Sequence, residues 1–174
     1  SVQRVAEDFC SAGLDVHAMQ VDQGDTKSVL HLKEQIAQKF GKLDVFVNNA
    51  VSRPMKGYNA PIEQFEESMK VNATGMMFIL REMTDLIVKA GGGSVINISS
   101  MMGMFGPNLS NYEGTSMGDL PPDYFFHNAG LINLNRYMTK MLAGKNVSFN
   151  GISPGGLFNN QPERFVEKKK KKVP

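Results

Sequence analysis

Apolar and polar positions along the chain change period several times, and each change predicts an element. Residues 14–21, LDVHAMQV, alternate, with Leu14, Val16, Ala18 and Val21 apolar; this predicts a strand ending at Asp22 and a break at Gly24 and Asp25. Asp25 suits a helix N-cap, and beyond it Val29, Leu32, Ile36 and Phe40 share one helical face until Gly41. Leu43 to Asn49 reads as a second strand whose Val45-Phe46-Val47 centre is apolar on both faces, as in a parallel strand covered by helices. A loop rich in Gly, Pro and Asn, 52–60, leads to Pro61 as a first helical residue, and one long helix is predicted to about Ala90, where Gly91 to Gly93 stop it. Ser94 to Ser99 forms the next predicted strand. An irregular stretch reaches Pro122, a helix spans about Asp123 to Ala143 with Gly144 after it, and Val147 to Ser153 makes a further strand.

Strands alternating with helices of ten or more residues imply right-handed crossovers, hence an α/β fold with a doubly wound, Rossmann-like parallel sheet. Ligands of such sheets bind beyond the carboxyl ends of the strands, which directs attention to Asp22, Asn48 to Val51, Ser99 to Met102 and Pro154 to Gly156. The 174 residues suffice for one domain. Val2 to Phe9 reads as a helix already under way, so the chain is expected to be a single partial domain of a longer one.

Composition narrows the partners. Net charge is +2 and much of the excess sits in Lys168 to Lys172, so the body has no basic field for nucleic acid; that run is expected to be a solvated face. No apolar stretch approaches the ~18 residues of a membrane span. A single cysteine, Cys10, excludes an internal disulfide and fits a reducing compartment, with cytoplasm expected. No metal-ligand spacing stands out, and no metal is expected.

Small and amide-bearing residues cluster at the predicted strand ends: Asn48-Asn49-Ala50, Asn72 in VNATG, Ile98-Ser99-Ser100 and Pro154-Gly155, followed by Tyr124 one turn before Asn128. As an ordered set these residues resemble the short-chain dehydrogenase/reductase family over most of the chain. The resemblance implies NAD or NADP as cofactor, with Asp22 and Ala50 near the adenine, Asn48 supporting the central strand, and Pro154 and Gly155 in a cofactor-facing turn. It implies that Asn72 holds a proton-relay water, Ser100 binds the reacting oxygen and Tyr124 is the acid/base. YEGTSM, 112–117, and SPGGLFNNQPERF, 153–165, are similar to the flagellin-modification and surface-polysaccharide branch. That similarity implies a small, sugar-like substrate, with Met102 and Tyr112 toward it; a homo-oligomer is a further family trait.

Tyr112 lies closer to Ser100 in sequence than Tyr124 does, but Gly114, Gly118, Pro121 and Pro122 follow it and cannot sustain a helix. Tyr124 opens a real helix, in which residues four apart share a face.

Three departures stand against this pattern. Asn128 occupies the position where the family places lysine. Without that charge favouring phenolate, turnover is expected to fall by roughly 10²–10⁴. Neither Arg136 nor Lys140 can replace it, since at ~1.5 Å rise per residue both lie far along the helix. No glycine-rich turn leads from a first strand into a helix; Gly91 to Gly93 precede a strand instead. By the resemblance, two strands between 14–21 and 43–49 are missing, which predicts an unpaired edge and exposed apolar faces; Asn159 falls near where the family tends to have a nicotinamide-touching threonine. The expected function is therefore an NAD(P)-dependent oxidoreductase exchanging hydride with an alcohol or carbonyl, impaired in this chain. The alternative is an inactive fragment or pseudoenzyme that keeps the fold, and an interaction role for the lysine run is the minor third reading.

Overall fold

A computed structural model describes residues 2–115, 117 and 120–171. Its elements are α1 (Val2–Ser11), α2 (Thr26–Phe40), β1 (Val45–Asn48), α3 (Ile62–Met69), a π turn (Lys70–Gly75), α4 (Met76–Lys89), β2 (Gly93–Ile98), α5 (Pro122–Met141), β3 (Val147–Ile152) and α6 (Glu163–Lys170), with 3-10 turns at Met101–Gly103 and Leu109–Asn111. The strands form one parallel sheet in the order β1-β2-β3, with Asn48 opposite Asn97 and Ile98 opposite Ile152. The chain thus has the Rossmann-like α/β architecture, and every crossover carries a helix.

One core joins the sheet to α4 and α5 through Leu80, Ile87, Val95, Leu131, Met138 and Phe149. A second, built from Val29, Leu32, Ile79, Met83 and Leu86, holds α2 on α4. Of the periodic positions that predicted α2, Val29 and Leu32 are buried and Ile36 packs partly against them, while Phe40 at the last turn is exposed; the Asp25 carboxylate accepts from the Lys27 N–H, and Gly41 ends the helix at φ 72°. Lys33 crosses from α2 to Glu82 and Asp85 at 2.8 and 2.6 Å. Partial burial pulls its ammonium down, yet the hydrogen bonds to Asp85 and Glu82 hold it above its ordinary value. Lys33→Met is expected to cost about 1 kcal/mol in urea unfolding, with the difference shrinking in high salt.

Four expectations are corrected. Residues 14–21 form no strand; a ladder needs a neighbour, and β1 leaves no paired edge on that side among the described residues. β1 is covered on one face only: Val45 and Val47 are half exposed, because both cores lie on the other face. The predicted long helix runs from Ile62 to Lys89 but is not regular throughout: it widens at the π turn, where Asn72 reaches across to Ser52 and Gly75 lies so close to the Gln23 carbonyl that a Cβ would sit 2.1 Å from it. The lysine run is solvated only in part: Lys168 to Lys170 close α6 and Lys170 and Lys171 are exposed, but the Lys168 ammonium donates to the Ser110 and Glu113 carbonyls, and Phe165 on the same helix is buried against Tyr112. Lys172 and Gly118 lie outside the described residues. Among the described residues no helix is long and apolar enough to cross a membrane.

Candidate active site

A narrow cleft of about 110 Å³ opens beyond the carboxyl ends of β1 and β2. Asn48 to Val51 form one wall, Asn72 and Met76 the second, Ile98 and Ser99 the floor, and Tyr124, His127, Asn128 and Leu131 of α5 the third wall. Topology positions all of them: two strand ends, the π turn that closes the β1 crossover, and the first two turns of α5.

The asparagines are scaffold as well as lining. Buried Asn48 donates to the Asn97 carboxamide oxygen at 3.0 Å, tying β1 to β2, and Asn97 donates onward to Asn135 of α5 at 2.9 Å. Asn72 accepts from the Ser52 N–H at 2.8 Å and donates to the Ser52 carbonyl at 2.7 Å and Ser68 Oγ at 2.9 Å. This bracket fixes the loop that follows Val51. Gly103 lets the turn after β2 touch α5, since a Cβ there would sit 2.6 Å from the Asn128 carbonyl carbon.

Tyr124 is half-buried, with the Arg53 guanidinium 4.9 Å from its ring centroid and the His127 ring 5.5 Å away. Asn128, 4% exposed, spends both amide protons inside the protein, on the Tyr124 carbonyl at 2.8 Å and His127 Nε2 at 2.9 Å, while its Oδ1 lies 3.2 Å from Ser99 Oγ. Of its polar atoms only Oδ1 keeps spare capacity, as an acceptor. Among the described residues, Arg53 is the one Arg, Lys, Asp or Glu that lines the cleft.

Not every predicted residue arrives here. Ser100 is buried outside the lining, its Oγ accepting from the Met102 N–H to cap the 3-10 turn, and Ser99 holds the cleft position instead. Met102 lies in that turn, away from the cleft. Pro154 and Gly155 follow β3 and meet the same segment through a Met101 N–H to Pro154 carbonyl bond of 3.2 Å. Asp22 closes the Gly24 turn before α2, outside the cleft lining. Tyr112 lines a separate hollow of about 700 Å³ with Tyr58, Leu109 and Phe125, and burial pushes its phenol up. Of the two serines, sequence reasoning placed Ser100 rather than Ser99 at the cleft, and it missed Arg53 and His127. The spacing of Asp123 and His127, one helical turn apart, was the available signal for the last.

Burial pushes the His127 imidazole below its ordinary value of 6.5; Asp123 opposes the shift and the Arg53 charge adds to it. The folded chain therefore binds this proton less readily than the unfolded chain. Stability is intact above the ordinary imidazole range and declines as pH falls below about 6.5. Melting temperatures across about pH 5 to 8 should show this acid-side slope, and His127→Gln should flatten it.

Comparison with known proteins agrees with this architecture. The short chain dehydrogenase family model matches residues 1–169, and the chain belongs to that family. Among its relatives, the post-translational flagellin modification protein A of Campylobacter coli is 32% identical over 143 residues, covering 79% of this chain and 56% of that protein. A 3-oxoacyl-acyl-carrier-protein reductase of Thermotoga maritima is 28% identical over 146 residues, 83% of this chain and 54% of the reductase. The chain thus spans about half the length of these relatives. A Leptospira borgpetersenii short chain dehydrogenase with bound NAD+ superposes with a TM-score of 0.80 at 21% identity, over 99% of this chain and 73% of that one. That likeness supports the fold.

Proposed function

We propose that the cleft is the catalytic half of a nicotinamide-linked oxidoreductase site, acting on the alcohol or carbonyl of a small, sugar-like substrate. The observation that carries this is the meeting of Tyr124, Ser99 and Asn72 around one cleft at the switch from β1 to β2. When bound, NAD or NADP supplies the hydride acceptor or donor. Of this chain's own residues, Tyr124 is the proton-transferring group, the Ser99-Ser100 segment faces the reacting oxygen, and the backbone of Asn49 to Val51 with Asn128 Oδ1 offers contacts to the nicotinamide ribose. The donor set fits that half of a dinucleotide. It does not fit the pyrophosphate, since no described glycine turn joins a first strand to a helix. Asp22, Pro154 and Gly155 remain the proposed outer contacts to the cofactor, and Met102 with the Tyr112 hollow the proposed substrate side.

A second reading, an inactive relative that keeps the pocket, is favoured by one observation: Asn128 is neutral and has no free donor. Calorimetric titration with NADH and NADPH separates the two. Saturable binding with slow carbonyl-dependent oxidation, abolished by Tyr124→Phe, supports the oxidoreductase; no binding at millimolar cofactor overturns it for this chain.

A further inference from the structure

We propose that Asp123 and His127 form a buried dyad, joined through one water molecule, that fixes the imidazole as its Nδ1–H tautomer and thereby positions Asn128 in the cleft. The inference goes beyond the oxidoreductase reading and does not depend on it.

The tautomer follows from an acceptor that cannot change. The Tyr124 carbonyl only accepts, so the Asn128 atom 2.8 Å from it is the amide nitrogen. That same nitrogen lies 2.9 Å from His127 Nε2, and its second proton must point there. Nε2 is then the lone-pair nitrogen, and the ring proton sits on Nδ1. Burial, which disfavours a second ring proton, agrees.

That assignment makes His127 Nδ1–H a buried donor, and among the described residues it meets no hydrogen-bond partner. Asp123, 2% exposed, is hydrogen-bonded through Oδ2 to Ser68 Oγ at 2.5 Å, while its Oδ1 is a buried acceptor equally without a partner. The two orphans are complementary and lie four residues apart on one face of α5. Leaving a buried donor and a buried acceptor both unmet is costly, and a bridging water that accepts from Nδ1–H and donates to Oδ1 satisfies both. Arg53 and Tyr124 are the other titratable groups facing the ring. The completed string runs Asn72, Ser68, Asp123, water, His127, Asn128, Ser99. It ties the π turn, α3, α5 and the end of β2 together beside Tyr124. His127 and Asp123 are positioning residues: they act on the cleft through the Asn128 amide.

The test uses the unmodified chain without cofactor, labelled with 15N-histidine, so its failure leaves the oxidoreductase reading untouched. Of three imidazoles, the one lost in His127→Gln is expected to be neutral with its proton on Nδ1 at pH 7, with a cross-peak from that proton to a long-lived water. An Nε2–H tautomer, an imidazolium at pH 7, or an Nδ1–H without the water cross-peak overturns the proposal. Asp123→Asn, with its backbone spectrum otherwise preserved, should shift the Nδ1 resonance; an unmoved resonance also overturns it. Should that variant not fold, the wild-type measurements decide alone. The Asn128 amide protons should be slow to exchange in wild type and in His127→Gln, whose carboxamide oxygen can accept in place of Nε2. They should exchange fast in His127→Leu; equal protection in all three overturns the positioning role.

Discussion

Replacing Asn128 with lysine is expected to raise nicotinamide-linked turnover by roughly 10²–10⁴, read as carbonyl-dependent NADH or NADPH oxidation. The helix already places residue 128 one turn beyond Tyr124 and against the floor at Ser99. What the position lacks is charge. A carboxamide whose protons are spent on the Tyr124 carbonyl and on His127 gives the phenol no electrostatic help, whereas an ammonium favours the ionised form that proton transfer uses. The gain should appear mainly in kcat, since the residues proposed to contact the nicotinamide ribose are otherwise unchanged. Turnover unchanged in a variant that still binds cofactor would show that the missing lysine is not what limits this site.

The largest loss of stability is expected from Leu80→Ala. Leu80 is fully buried in α4, in the core shared with Val95 of β2, Leu131 and Met138 of α5 and Phe149 of β3. Truncation removes three carbons and leaves a void that two helices and two strands would have to close, which costs about 3 kcal/mol. A chain of this length should then melt roughly 6–12 °C lower. The core has little in reserve, because the opposite face of the sheet, with Val45, Val47 and Ile152 half exposed, contributes little burial.

Elements that bury a continuous stripe were legible from the sequence. Val29 and Leu32 declared α2, and the run Ser94 to Ser99 declared β2, because each carries its own period or flanking breaks. Residues 14–21 carried the period of a strand too, but a strand is a relation between two segments, and no partner lies in the described chain. The π turn was hidden for a different reason: the apolar pattern runs through it, and the widening comes from Asn72 bonding Ser52, twenty residues away. α6 is short and mostly charged, with Phe165 as its single buried residue, too little for a periodic signal. At the site, Asn128 was found through the family resemblance, four residues after Tyr124, while topology alone located Asn48 to Val51 and Ser99. It could not choose between Ser99 and Ser100, because that choice rests on which hydroxyl caps the following turn. Nor could it find Arg53, which reaches Tyr124 from a loop with no pattern of its own.

The π turn at Lys70–Gly75 has a consequence for how α4 is aimed. A regular helix advances about 100° per residue, so a single residue gained or lost in a helix turns everything downstream by that angle. Met76, Ile79, Leu80 and Met83 point into the two cores only at the present phase. The wide turn acts as a phase-setter, letting α3 obey the Asn72–Ser52 bracket while α4 obeys the sheet. Trimming one residue from it would force a choice between those two allegiances.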